Sequence, residues 1–286
     1  MLISGFMISP LKAFGEVISI LIPFIGFHHV LVVFNVVSII LWSILLAGCT
    51  LGNGLKNVYL LSLAYDSEPH SQVAESLLSN PQLIKLLSGQ VQDSNDTIRE
   101  IRVGYVSLCA VSSSGGSFCG DSTEGLVRQV RSSGSSDPLN LLELAHSVRT
   151  EVVFYPLLII AMISLALSTY LLLTLPGWHE VDDSYSQVSE QELAEKKPFP
   201  SDKKQHSIFG LLTVASCLGF ATVFWQHISS AGSAAIIENM SYNMVKAHVG
   251  TLAMALGWVG VFFTLLSLVG VVLMILSIRV MKQLAD

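Results

Sequence analysis

The sequence predicts a membrane protein, mainly α, with a four-transmembrane-helix bundle joined to a small disulfide-stapled, β-containing extracellular domain. Three observations carry that expectation. Hydrophobic residues make up 51% of the 286 and charged residues only 13%, with a mean hydropathy of +0.62. A soluble core has no use for so much apolar surface. Four windows, residues 30–50, 152–175, 208–228 and 252–278, contain no Asp, Glu, Lys or Arg. Twenty-one residues of helix already reach about 32 Å, enough to cross the hydrocarbon layer. The third observation is the one long polar stretch, residues 51–151, which holds two cysteines ten positions apart, Cys109 and Cys119.

The elements follow in order. Residues 1–29 form an N-terminal segment whose apolar run, 11–27, is interrupted by Lys12, Glu16 and Pro23. An interfacial helix leading into the first span suits that pattern. His28 and His29 fall at headgroup depth. The first span, 30–50, carries Asn35, an amide that in lipid seeks a partner on another helix. In the loop, residues 57–65 and 98–111 read as strands, and 71–87, 124–131 and 139–148 as helices. The second span, 152–175, stops at Pro176-Gly177-Trp178. Residues 176–207 are polar, with clustered acids followed by Lys196, Lys197, Lys203 and Lys204, and read as solvated chain. Spans three (208–228) and four (252–278) contain the small-residue pairs Ala215/Gly219 and Ala253/Gly257, which allow close helix approach. Between them, 229–251 is expected to be a short outer loop. Residues 279–286 are a tail that opens with Arg279.

Orientation follows from the basic residues of the short loops. With the N-terminus inside, Lys12, Lys196, Lys197, Lys203, Lys204, Arg279 and Lys282 are all cytoplasmic, against Lys246 alone in the short outer loop. The two glycosylation sequons, at Asn95 and Asn239, then both fall outside. Residues 102–111 alternate well enough for one strand, with Val103, Tyr105, Ser107 and Cys109 on a single face. Ser112 to Ser117 supply a turn, so Cys109 and Cys119 can meet at disulfide distance. The alternative is two unpaired thiols in loose turns. An extracellular position favours the bridge, which closes a short loop and is worth about 3 kcal/mol in the chain-entropy model.

Several chemistries lack their residues. Nothing resembles a basic stripe for nucleic acid, a zinc-protease helix or a phosphate loop, so an enzyme, a cofactor and a metal centre are not expected. The loop's eleven carboxylates against seven basic side chains leave it at −4, a mild attraction for cations. Asp93, Asp96 and Glu100 are its candidate cation-attracting group. No calcium-binding loop motif accompanies them, so any partnership with calcium ions is weak. The expected partners are the lipid bilayer and homo- or hetero-oligomeric membrane proteins.

A resemblance sharpens this. Gly104-Tyr105 followed by Leu108-Cys109, with a second cysteine at Cys119, is similar to the pattern of the claudin superfamily, where Gly-Leu-Trp precedes the first of two loop cysteines. Residues 25–49, Val58-Tyr-Leu-Leu-Ser-Leu63 and Arg102-Val-Gly-Tyr105 resemble the fungal branch, the pheromone-induced calcium-regulating and membrane-fusion proteins of mating. Phe118 fills the place of an aromatic near the second cysteine. The resemblance implies a multi-pass plasma-membrane protein that promotes low-affinity calcium influx and cell fusion during mating or polarised growth. The alternatives are a subunit that itself lines a cation path, or a membrane-organising or adhesion tetraspan unrelated to calcium.

Overall fold

Every one of the four apolar windows becomes a helix in the computed structural model, although the helices do not stop where the hydropathy does. The structure describes residues 27–50, 54–65, 98–113, 115–132, 137, 140–175, 202–241 and 245–285. In chain order they form α1 (Phe27–Leu46), β1 (Leu61–Tyr65), β2 (Ile98–Val103), β3 (Leu108–Ser112), β4 (Ser117–Gly120), α2 (Thr123–Ser132) and α3 (Leu141–Val152). There follow α4 (Pro156–Leu173), α5 (Asp202–Met240), β5 (Val245–Val249) and α6 (Thr251–Ala285). α1, α4, α5 and α6 are long and apolar enough to cross a membrane. The expected helix at 71–87, the segment 11–26, the sequon at Asn95 and the acids Asp93 and Asp96 lie outside the described residues.

Three boundaries differ from expectation for identifiable reasons. The first helix ends at Leu46 rather than at residue 50. A turn follows, in which Cys49 takes a positive φ of 60° and its amide bonds Leu55 O at 3.2 Å. The window 152–175 is broken in two. Val152 closes α3, and α4 begins with Pro156 as its first residue, because a residue before proline resists helical geometry and proline suits a helix's first turn. The expected strand 98–111 is two strands. Gly104 N bonds Ser107 O at 2.9 Å, so the chain reverses between Val103 and Leu108, and the anticipated single face through Tyr105 and Ser107 does not exist.

The largest difference concerns residues 229–251. α5 runs 39 residues to Met240, about 58 Å at the helical rise, roughly twice the hydrocarbon thickness. Val245–Val249 then forms a strand. These residues are therefore not a plain outer loop. Val245 and Ala247 are buried while Lys246 and His248 are exposed, the period-two pattern of a strand with one covered face.

The five strands make one antiparallel sheet in the order β4-β3-β2-β1-β5. Its register places Leu61 opposite Val103 and Val249, Ile101 opposite Ala110, and Cys109 opposite Cys119.

The chain forms two compact units, and each of the four long helices contributes to both. The first comprises Met1–Val37, Ile163–Ser216 and Phe263–Asp286. In it Leu31 seats against Gly270, where an added Cβ would come within 2.4 Å of Leu31 Cδ2. The rings of Phe34 and Phe263 lie 5.6 Å apart. The second unit comprises Ser38–Met162 and Cys217–Phe262 and contains the whole sheet. Its core joins Leu61, Leu63, Ile101, Val103, Leu108 and Ala110 of the sheet to Leu126 and Val130 of α2. Leu141 and Ala145 of α3 and Ala234 and Ile237 of α5 complete it. The extension of α5 thus supplies a wall of the sheet domain.

Helix packing in this second unit turns on Trp42, which is fully buried. An added Cβ on Gly219 would stand 2.3 Å from Trp42 Cη2, and one on Gly260 would stand 2.3 Å from Trp42 Nε1. The indole N–H points at Gly257 O at 3.5 Å, and Ser38 Oγ donates to Gly260 O at 3.1 Å. The glycines here make room for an aromatic ring. Gly257 alone serves helix-to-helix approach, facing Val223 at 3.1 Å.

Candidate functional site

The site is assembled from the end of α1, the β2–β3 turn and the paired cysteines. Cys109 and Cys119 form a disulfide between directly opposed residues of β3 and β4, with Cα atoms 4.1 Å apart. The Ser/Gly turn between the strands places Gly115 at φ 89°, a conformation that favours glycine. Cys109 Sγ lies 3.4 Å from Cys49 O, so the bridge rests directly on the chain leaving α1.

Gly104 belongs to the same junction. A Cβ there would meet Gly48 O at 2.6 Å and Cys49 Cβ at 3.0 Å, and Ser107 Oγ donates to Gly48 O at 3.2 Å. The β2–β3 turn is pressed against the residues after α1, and only glycine fits. Cys49 itself stays a free thiol with no exposure. Burial pushes its pKa up to about 12, outweighing the nearby Arg102 guanidinium, which acts downward. A thiol held in that form is a poor nucleophile.

Tyr105 is the centre of the junction. Its side chain is buried, and its hydroxyl donates to Gln226 Oε1 of α5. Gln226 Nε2 in turn points at Met254 Sδ of α6 at 3.6 Å. Burial raises the tyrosine pKa well above its ordinary value. Around this pair lie Leu60, Val152, Phe154, Thr222 and Trp225, which line a shallow pocket. The Trp225 indole donates to Val152 O at 3.1 Å. Arg149 bonds the carbonyls of Val106 and Asp121 at 2.9 and 2.8 Å, fixing the turn that carries Tyr105.

The remaining sequence candidates are placed as follows. Glu100 is engaged on both oxygens by Arg102, at 3.0 and 3.2 Å, and Arg102 also bonds Lys56 O and Asn57 Oδ1. Its guanidinium stacks 5.1 Å from the Tyr59 ring centre. Most of the field of Glu100 is therefore cancelled locally. Asp137 is likewise occupied, capping α3 through the amides of Leu141 and Leu142 at 2.9 Å and accepting from Tyr65 at 2.6 Å. Asn35 is fully buried, and among the described residues neither its Nδ2 nor its Oδ1 has a hydrogen-bond partner, so the interhelical bond expected of it is not seen there. Asn239 lies in the last turn of α5 and donates to Ala235 O at 2.7 Å. No group of three His, Cys, Asp or Glu suited to a metal occurs among the described residues.

Gln226 is the residue that sequence reasoning missed. A search of the spans for charges passes over an amide, yet a glutamine in an apolar helix carries the same signal as Asn35 did.

Four apolar helices and one antiparallel sheet closed by a disulfide define a claudin-like tetraspan membrane protein. The family model described as "Ca2+ regulator and membrane fusion protein Fig1" matches residues 88–277, more than half of the chain, and the protein belongs to that family. Its role is calcium regulation and membrane fusion during mating, with no known catalytic activity. No curated protein matches the sequence.

Proposed function

We propose that this protein is a plasma-membrane scaffold with both termini cytoplasmic, and that its outer sheet domain associates with homo- or hetero-oligomeric membrane partners. Low-affinity calcium influx and cell fusion follow from that assembly rather than from an ion path through a single chain. The supporting observation is how the loop's polar groups are used. Glu100 is paired with Arg102 and Asp137 is spent on a helix cap, and the α5 carboxylate Glu238 accepts from the Ala247 amide at 3.1 Å. These groups hold the sheet domain together and are not arrayed for a passing cation. Basic residues flanking the spans support the orientation. In that orientation Asn95 is the acceptor for glycosylation.

The test is calcium flux into liposomes containing only the purified protein. The scaffold reading expects none above empty liposomes, with uptake impaired in matings between deletion strains. Flux without any partner would replace it with the conducting reading.

A further inference from the structure

Within the first unit each membrane-crossing helix buries a polar side chain that has no hydrogen-bond partner among the described residues. They are Asn35 of α1, Ser168 of α4, Ser216 of α5 and Ser267 of α6, none more than 2% exposed. Asn35 and Ser267 belong to one seam. Leu31 seats against Gly270 and the rings of Phe34 and Phe263 lie 5.6 Å apart, so α1 and α6 pass each other in opposite directions. One turn on from Leu31, on the same face of α1, is Asn35; one turn back from Gly270, on the same face of α6, is Ser267. The Leu31–Gly270 contact thus brings the two polar groups to the same level, yet no direct bond joins them. Ser267 also forgoes the bond to the carbonyl four residues back that Thr169 and Thr213 make on their own helices.

We propose that Asn35 and Ser267 together bind buried water in the seam between α1 and α6. A buried polar group without a partner is costly, and more so where lipid surrounds the helices. Asn35 leaves open an Nδ2 donor and an Oδ1 acceptor, and the Ser267 hydroxyl can act as either. Water also donates and accepts. An internal water takes about three hydrogen bonds, and these two side chains supply polar partners from both sides of the seam. A cation suits the site less well. It would take the oxygens but face the Nδ2 hydrogens, and the charge-free windows of the four spans hold no carboxylate to balance it. The water bridge ties the first span to the last midway along α1. It fixes their register, because sliding either helix by a turn moves Asn35 away from Ser267.

The experiment uses the full chain in phosphatidylcholine nanodiscs, exposed to a brief X-ray pulse. Hydroxyl radicals formed from a bound water oxidise the side chains beside it, and mass spectrometry locates the label. Leu31, only 1% exposed and one turn from Asn35, is the reporter. Wild type is expected to carry the label there, with its oxygen drawn from heavy-oxygen water once the buffer has been exchanged. Asn35→Leu combined with Ser267→Ala exchanges both polar groups for apolar ones and should lose the label while remaining folded. Ser267→Ala alone strands the Asn35 amide, so it should melt below both wild type and the double variant. If neither variant yields folded protein, the wild-type label decides by itself. No label at Leu31 in wild type would overturn the proposal. So would a Ser267→Ala variant that keeps the label and melts as wild type does, by showing that Asn35 is served from elsewhere in the chain. A wild-type melting temperature that drops when sodium is replaced by N-methylglucamine, with no such drop in the double variant, would overturn it in favour of a cation.

Discussion

At the scale of single residues, the junction at Gly104, Tyr105 and Cys109 makes distinct demands. Cys109→Ser and Cys119→Ser remove the same bridge, so each should lose about 3 kcal/mol, and the double variant should be no worse than either. Surface abundance and non-reducing mobility read this directly, and normal abundance in both single variants would contradict it. Gly104→Val fails differently: its side chain meets Gly48 O, so surface delivery should fall while the disulfide still forms. Tyr105→Phe leaves Gln226 Oε1 buried without its donor, a cost of about 1–3 kcal/mol. Pairing it with Gln226→Leu should recover part of that in thermal unfolding. The raised pKa of Tyr105 also sets a sign. The folded state holds that proton more tightly than the unfolded one, so stability is full below the ordinary tyrosine value near 10 and falls as pH rises beyond it. The alkaline loss should be smaller in Tyr105→Phe. The disulfide was legible because spacing and turn residues are local. The Tyr105–Gln226 pair spans 121 positions, and no local pattern connects its members.

At the scale of elements, the apolar windows were readable because lipid imposes one composition on every span. Their ends were not, because a helix continues as long as its backbone is satisfied, whether its surroundings are lipid, water or protein. Residues 229–240 read as loop because they fall between the charge-free windows of spans three and four, yet Ala234 and Ile237 find a sheet to pack on, and such packing extends the helix. The same extension bears on glycosylation. Asn239 is helical, with its amide nitrogen donating to Ala235 O, while Ser241 Oγ donates to Glu238 O and accepts from Val245 N. Asn239→Gln should therefore leave gel mobility unchanged, whereas Asn95→Gln should increase it. Between helices, Trp42 and the glycines form a matched set. Trp42→Ala should cost about 3–5 kcal/mol. Gly260→Ala should destabilise in the wild-type background but be tolerated with Trp42→Leu, as thermal unfolding in detergent would show.

At the scale of the whole molecule, orientation governs the environment of the cysteines. A protease-sensitive tag placed within residues 184–207 should be protected in intact cells and cleaved after permeabilisation. Cleavage from outside would put Cys109 and Cys119 in a reducing compartment, where their bridge would not persist. The family match over residues 88–277 takes in four of the five strands and most of the membrane-crossing sequence, which is why loop motif and spans together were enough to recognise the architecture. What the chain withheld was the union of residues 61–120 with residues 245–249 in one sheet. The pairing of β1 with β5 joins residues 180 or more positions apart, and such pairing leaves only the alternation of Val245, Ala247 and Val249 as its trace.

That pairing has a consequence for how the protein is made. Strands β1 to β4 leave the ribosome long before β5, and two further membrane-crossing helices, α4 and α5, come between them. Until residues 245–249 arrive, β1 has an open edge, and Ala234 and Ile237 of α5 are not yet available to cover the sheet. A nascent chain can close its Cys109–Cys119 hairpin early, but it must hold a half-covered sheet through two further insertions, a natural binding site for chaperones. A chain truncated before Val245 would carry the staple, the sequon at Asn95 and three spans, and should still be retained by quality control for want of one five-residue strand.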